Sequence, residues 1–215
     1  MIIGLIGFMG SGKGTVGDYL KGLGFYSDSF ARPLKDCVSI IFNWDRSLLE
    51  GDNKESREWR ETPDPYWSRV FVKPFTPRMA LQQFGTEACR EGLNLNIWCE
   101  SLGSRIRGYD DVVITDVRFI NEVEYVKSIG GLIVRVKRGD DPYWFEELSD
   151  LTWSNVRSNF MNQFNIHLLR SNFMNQFNIH SSEWDWVGSE VDCVIENSGT
   201  LTDLYEKVND LLNKK

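Results

Sequence analysis

Met1 to Val16 reads MIIGLIGFMGSGKGTV, an apolar strand that runs directly into a glycine-rich loop carrying one lysine and one threonine. Ile2, Ile3, Leu5 and Ile6 suit a strand buried in a parallel sheet. Gly7, Gly10, Gly12 and Gly14 let backbone N–H groups turn inward toward an anion without Cβ hindrance, and Lys13 adds a mobile positive charge. Val16, Tyr19, Leu20 and Leu23 then share one stripe of a helix that Gly24 stops, and the positive end of that helix aims back at the loop. Strand, loop and helix in this order make a phosphate cradle.

Gly7 through Lys13 satisfies the spacing Gly-x-x-x-x-Gly-Lys, but Gly14 stands where the pattern wants a hydroxyl, and Thr15 follows one place later. Gly-Ser-Gly-Lys-Gly-Thr resembles the loop of adenylate kinase and other nucleoside monophosphate kinases, in which glycine commonly follows the lysine. The resemblance implies an α/β, three-layer P-loop fold whose five parallel strands run in the order 2-3-1-4-5, with a lid.

The rest of the chain is consistent with that layout. Apolar segments Ile2 to Ile6, Gly24 to Ser29, Val112 to Thr115, Leu132 to Val136 and Val191 to Ile195 alternate with helical patterns, which predicts a parallel sheet with helices on both faces and ligands beyond the carboxyl ends of its strands. Pro33 to Trp44 reads as a helix, and Thr76-Pro77-Arg78 as a helix start with threonine as cap. Gly85-Thr86-Glu87 is expected to break that helix. At 215 residues a single domain, 1–215, is expected, with a substrate-covering insertion over 45–75 and a lid-like insertion over 138–182.

Within the second insertion RSNFMNQFNIH occurs twice, at 157–167 and 170–180. Two copies at a period of 13 are too few and too short for a solenoid. On one continuous helix the second copy would be turned about 220° from the first, so both could not face one site. The repeat reads as a recent duplication in a tolerant surface segment.

Composition narrows the function. A net charge of −7 argues against a nucleic-acid surface, so an anionic ligand has to be held by local donors. Four cysteines without a C-x-x-C pair read as free thiols in a reducing cytoplasm, that of the host if the chain is phage-encoded. No signal peptide or membrane span is expected, and a homodimer stays open. With only His167 and His180 in the chain, Ser-His-Asp chemistry and histidine metal sites lack material, which leaves the arginines, lysines and carboxylates that phosphoryl transfer uses.

Val112 to Asp116 is an apolar strand ending in a carboxylate, where a P-loop protein holds Mg²⁺, usually through water. Asp116 to Glu122, DVRFINE, resembles the Asp-Gly-x-Pro-Arg segment of adenylate kinase, where the arginine meets the acceptor phosphate. Thr76 to Arg78, Leu81 to Glu87, Phe30 to Asp36, Asp116 to Glu122, and His180 to Glu183 followed by Val191 to Gly199 are together similar to the bacteriophage deoxynucleoside monophosphate kinases, in nearly the whole chain.

That resemblance implies transfer of the ATP γ-phosphoryl group to a deoxynucleoside 5′-monophosphate with Mg²⁺. It implies Lys13, Asp116, Arg78 and Arg118 as catalytic residues, and Gly10, Ser11, Gly12, Lys13, Gly14, Thr15, Asn197 and Gly199 at ATP. It implies Arg32, Lys35, Arg78, Gln82, Arg118 and Glu122 at the acceptor, and Thr15 and Asp116 at the metal. Arg157 and Arg170 are the lid arginines that would reach phosphate, against a reading as plain surface residues. Trp59, Trp67 and Trp98 read as packing or as stacking on a base. Another small-molecule P-loop kinase and a nucleotide-sensing P-loop ATPase are the alternatives.

Overall fold

The computed structural model describes residues 1–151 and 163–213, with the side chains of 163–167 excepted. Most of the first copy of the repeat, Arg157 included, lies outside the described residues. The chain divides into two compact units, one formed by Met1–Ser27 with Gly108–Lys215 and the other by Asp28–Arg107. The 45–75 stretch lies within the second.

The first unit is built on a five-stranded sheet, in which β1 is Ile2–Ile6, β2 Tyr26–Asp28, β3 Val112–Ile114, β4 Leu132–Lys137 and β5 Cys193–Glu196. Their order is β2-β3-β1-β4-β5, as expected. β1 runs parallel to β3 and β4, with Gly4 opposite Ile114 and Ile133, and β4 runs parallel to β5. The apolar strands therefore occupy the centre, where both faces are covered.

On one face, α1 (Lys13–Gly22) and the C-terminal helix Leu201–Asn213 bury Val16, Leu20, Leu204 and Val208 against Ile3, Leu5, Val113, Val134 and Ile195. Each such aliphatic side chain contributes about 1.5–3 kcal/mol. The other face is covered by the helix Ile120–Ser128, whose Val123 and Val126 are buried.

Two expectations for this unit shift at their ends. β2 is shorter than 24–29 because Gly24, at φ +100°, and Phe25 finish the preceding helix: the N–H of Phe25 donates to the carbonyl of Leu20. The same turn leaves Leu23 49% exposed, outside the buried stripe.

The second unit is helical. It comprises α2 (Arg32–Phe42), α3 (Lys54–Glu61), α4 (Pro65–Val70), α5 (Pro77–Gln82), a π-helical stretch Gln83–Glu91 and α6 (Ile97–Ile106). Its core is Val38, Trp44, Leu49, Phe75 and Ala80, ringed by Leu34, Phe42, Trp59, Trp67 and Met79. The stretch expected to be loop with short helices forms short capped helices: Asn53 and Ser56 cap α3 reciprocally, and the Asp64 carboxylate accepts the N–H groups of Tyr66 and Trp67. Thr76 caps α5, accepting the N–H of Met79, with Pro77 at the first helical position.

The break expected at Gly85 does not occur. The helix continues through Gly85 as a π-helix, the glycine lying where a Cβ would come within 2.8 Å of Leu34 Cδ2, and its carbonyl accepts the indole N–H of Trp98 at 3.0 Å. Gly85 is there for close packing, not for a turn. Trp59 and Trp67 pack, partly buried, against the core, and Trp98 is 7% exposed.

Candidate functional site

The phosphate loop closes on itself before any ligand arrives. The N–H of Ser11 donates to the carbonyl of Phe8, and the N–H of Val16 to that of Gly12, which precedes α1 in the left-handed region at φ +104°. A Cβ at Gly12 would lie 2.4 Å from Asn197 Nδ2, so only glycine fits. Lys13 folds back over the loop, its ammonium donating to the carbonyls of Gly7 (2.6 Å) and Phe8 (2.9 Å). Burial, followed by the neighbouring Arg118 guanidinium, pushes its pKa down to about 8, against the pull of Glu183 and Asp116. The loop lysine, the arginine and the carboxylate expected from sequence thus share one electrostatic neighbourhood, and Glu183 joins them.

Thr15 stands in the first turn of α1, and Asp116 just beyond the carboxyl end of β3. The two elements approach closely at Gly17, where a Cβ would be 2.7 Å from the Thr115 methyl. Hydroxyl and carboxylate oxygens are hard donors of the kind Mg²⁺ takes. Among the described residues there is no cluster of three or more His, Cys, Asp or Glu side chains able to hold a metal alone. Such an ion would draw its other ligands from phosphate oxygens and water, so the donor set fits a phosphate-bridged cation.

Arg118 is fixed at both ends. Its backbone N–H, like that of Phe119, donates to Glu122 Oε2, and its guanidinium pairs with Glu183 at 3.2 Å. Glu122 is 2% exposed, and its carboxylate caps the helix that starts at Ile120 and so positions Arg118.

Asn197 donates from Nδ2 to the carbonyl of Ser11 at 2.9 Å, which places it behind the loop. Gly199 adjoins the cap of the last helix, in which the N–H of Asp203 donates to Thr200 Oγ1 and the N–H of Thr200 to Asp203 Oδ2. Beside the loop, a cleft of about 230 Å³ is lined by Phe8, Met9, Gly10, Ser11, Arg138 and Asp141, among others.

Aromatic rings from the 138–182 stretch, and Trp186 just beyond it, pack on Phe8 of the loop. Phe8 lies 5.0 Å from Trp186 and, edge-on, 5.7 Å from Trp144, while the Arg135 guanidinium sits 4.4 Å above Phe145 and pairs with Asp141. Arg170 is fully buried, neither a surface residue nor exposed toward a ligand. Its Nη2 donates to the carbonyls of Trp184, Asp185 and Val187, and burial lowers its pKa. With Met174 also buried, the second copy of the repeat puts two side chains into the core while Asn172, Asn175, Gln176 and Asn178 stay exposed, which corrects the expectation of a tolerant surface segment at Arg170 and Met174.

In the second unit the cations implied for the acceptor are each paired with an acid. Arg32 meets the buried Asp28, which Arg105 also holds; Lys35 meets Glu50; and Arg78 meets Glu61. Gln82 ends α5. Glu183 and Arg135 were not expected as site-building residues, and Arg170 was expected at phosphate, not beneath the Trp184 to Val187 carbonyls. Glu183 alone had a signal, standing at the end of the quoted His180 to Glu183 run.

A central parallel sheet in the order 2-3-1-4-5, with a lysine-bearing glycine loop after its middle strand and a carboxylate at the end of the next strand over, defines a P-loop kinase. The chain belongs to the deoxynucleotide monophosphate kinase family. It is 36% identical over 153 residues to a protein of Acanthamoeba polyphaga mimivirus named provisionally as a deoxynucleotide monophosphate kinase, an alignment that takes in 64% of this chain and 74% of that one. No family model matches.

Solved structures similar to the chain include TT1252 from Thermus thermophilus, at a TM-score of 0.45 and 17% identity, covering 100% of this chain and 97% of that one. The shikimate kinase of Bacteroides thetaiotaomicron follows at 0.44 and 14%, covering 99% and 98%. Likenesses this loose carry no argument. No helix among the described residues is long and apolar enough to cross a membrane.

Proposed function

We propose that this kinase transfers the γ-phosphoryl group of ATP to a deoxynucleoside 5′-monophosphate by direct in-line displacement. The observation that supports the proposal is the electrostatic neighbourhood that Lys13, Asp116 and Arg118 share beside the glycine loop, in a chain whose mimivirus relative is named for this activity.

In this reading the amides of Gly10 to Gly14 and the start of α1 bind the β-phosphate, and Lys13 leaves the loop carbonyls to bridge β and γ oxygens. Arg118 seats the acceptor phosphate. The acceptor roles of Arg32, Lys35, Arg78 and Gln82 rest on the family resemblance. Thr15 and Asp116 would hold Mg²⁺, directly or through water, and that ion supplies neutralisation of charge on the phosphates. No side chain has to form a covalent bond, so positioning and charge neutralisation supply the catalysis. Asn197 supports the loop from behind, and residues 138–182 act as the lid that excludes water.

The test is a coupled assay of ADP release from ATP with each common dNMP, each NMP and a set of small alcohols. Release that depends on a dNMP supports the proposal. Release without an acceptor would point to a nucleotide-sensing ATPase, release only with an alcohol to another small-molecule kinase, and either would overturn it.

A further inference from the structure

Of the acids that pair with the expected phosphate-binding cations, Glu183 is distinct in sharing the surroundings of Lys13, on which Arg118, Glu183 and Asp116 act together. A fixed carboxylate at this point opposes the arrival of any anion.

Glu183 is firmly placed. It ends a 3-10 turn, Ser181–Glu183, in which the His180 ring accepts the N–H of Ser182. The residues that follow, Trp184 to Val187, are buried, and their carbonyls hold the Arg170 guanidinium. Asp185 Oδ2 accepts the N–H of Ile120, two residues beyond Arg118. The turn and the helix start are therefore joined at two points, by Asp185 to the backbone and by Glu183 to the Arg118 guanidinium.

The Arg118–Glu183 pair is itself open to exchange, since the two side chains are 45% and 30% exposed. A half-exposed ion pair is weak, and a phosphate dianion gripping a guanidinium through two N–H groups is the stronger partner. We propose that Glu183 is a specificity-determining residue that holds Arg118 in place before the acceptor arrives, and yields it only to a phosphate whose ester group is bound elsewhere in the site. Inorganic phosphate and similar small anions, held by nothing else, are then kept off Arg118. The inference rests on the assignment of Arg118 to the acceptor phosphate under Proposed function.

The experiment is calorimetric titration with inorganic phosphate, which needs no turnover. Glu183→Gln is expected to bind it more tightly than the wild type, by up to about fivefold, the span of a half-exposed ion pair. The gain should vanish in the double variant Glu183→Gln/Arg118→Ala. With Glu183 intact, Arg118→Ala should leave phosphate affinity within about twofold, because the guanidinium is already occupied. In steady state, Glu183→Gln should lower KM for the acceptor monophosphate and leave KM for ATP unchanged.

No gain in Glu183→Gln, a gain that survives loss of Arg118, or a rise of both KM values together would overturn the inference, the last being the mark of a merely structural residue. If Glu183→Gln fails to fold, the Arg118→Ala titration decides: a large loss of phosphate affinity refutes the masking. Should the titrations behave as expected while no dNMP is turned over, the masking of Arg118 stands and the acceptor assignment falls.

Discussion

Asn197 donates from its side-chain amide to the carbonyl of Ser11, so the loop after β5 supports the phosphate loop. The backbone N–H of Asn197 is itself fixed on the carbonyl of Lys137. Asn197→Ala removes one neutral hydrogen bond, which predicts a loss of triphosphate affinity of about 1 kcal/mol, or roughly fivefold. Because the effect passes through the loop, ATP and GTP should weaken by the same factor in competition binding. A loss confined to ATP would mark contact with the base instead.

Lys13 gives the site a pH dependence whose sign follows from its surroundings. In the empty protein burial lowers its pKa to about 8, so the neutral amine prevails above that pH. A bound triphosphate favours the ammonium and raises the pKa again. Affinity for MgATP should therefore be full below about pH 8 and fall by up to about tenfold per pH unit above it, until the pKa of the bound state is reached. Stability of the empty protein has the opposite sign: between about 8 and the ordinary lysine value, rising pH favours the fold, because the unfolded chain binds more protons there. Calorimetry with MgATP from pH 7 to 9.5 checks the binding limb, and a flat profile would remove Lys13 from the phosphates.

Trp98 separates packing from recognition. Its indole N–H is buried on the carbonyl of Gly85, with the side chain 7% exposed. Trp98→Phe removes that hydrogen bond and opens space, which predicts a destabilisation of about 1–3 kcal/mol, seen as a lower denaturation midpoint. Nucleotide affinity measured well below the new midpoint should be unchanged. A rise in KM for the acceptor at full stability would show that the ring stacks on a base after all.

What could be read from sequence divides along chain distance. The phosphate loop, the Thr76 cap and the end of β3 were legible because each is a local pattern in which residue type, spacing and backbone geometry agree. The sheet order followed from the family resemblance, and the alternation of apolar and helical segments agreed with it. Gly85 misled because a glycine that allows close approach and one that ends a helix are the same letter, and only the position of Leu34 distinguishes them. Leu23 falls off the buried stripe because Gly24 turns the chain back one residue later. Glu183 meets Arg118 across 65 residues, and no local spacing encodes that pairing. Arg157 and Arg170 each open the same eleven residues, so the repeat itself could not have shown that Arg170 is buried.

The two copies of RSNFMNQFNIH are therefore expected to differ in their sensitivity to mutation. Arg170 donates to three carbonyls of the turn that carries Glu183 and Asp185, and Met174, one helical turn on, is 1% exposed. Arg170→Ala strands those carbonyls and leaves a cavity, which predicts a loss of about 2–5 kcal/mol. Arg157, at the same place in the first copy, lies outside the described residues; read from sequence as part of a tolerant segment, it is expected on replacement by Ala to cost no more than about 0.5 kcal/mol of stability. Removing residues 157–169 joins Val156 to Arg170 and keeps one copy of the repeat but takes away the start of the helix Gln163–Asn175, and near wild-type ADP release from that protein in the coupled assay is the outcome that the duplication reading predicts. If the shortened chain unfolds, or if Arg157→Ala is as damaging as Arg170→Ala, the first copy contributes to the fold and the duplication is not dispensable.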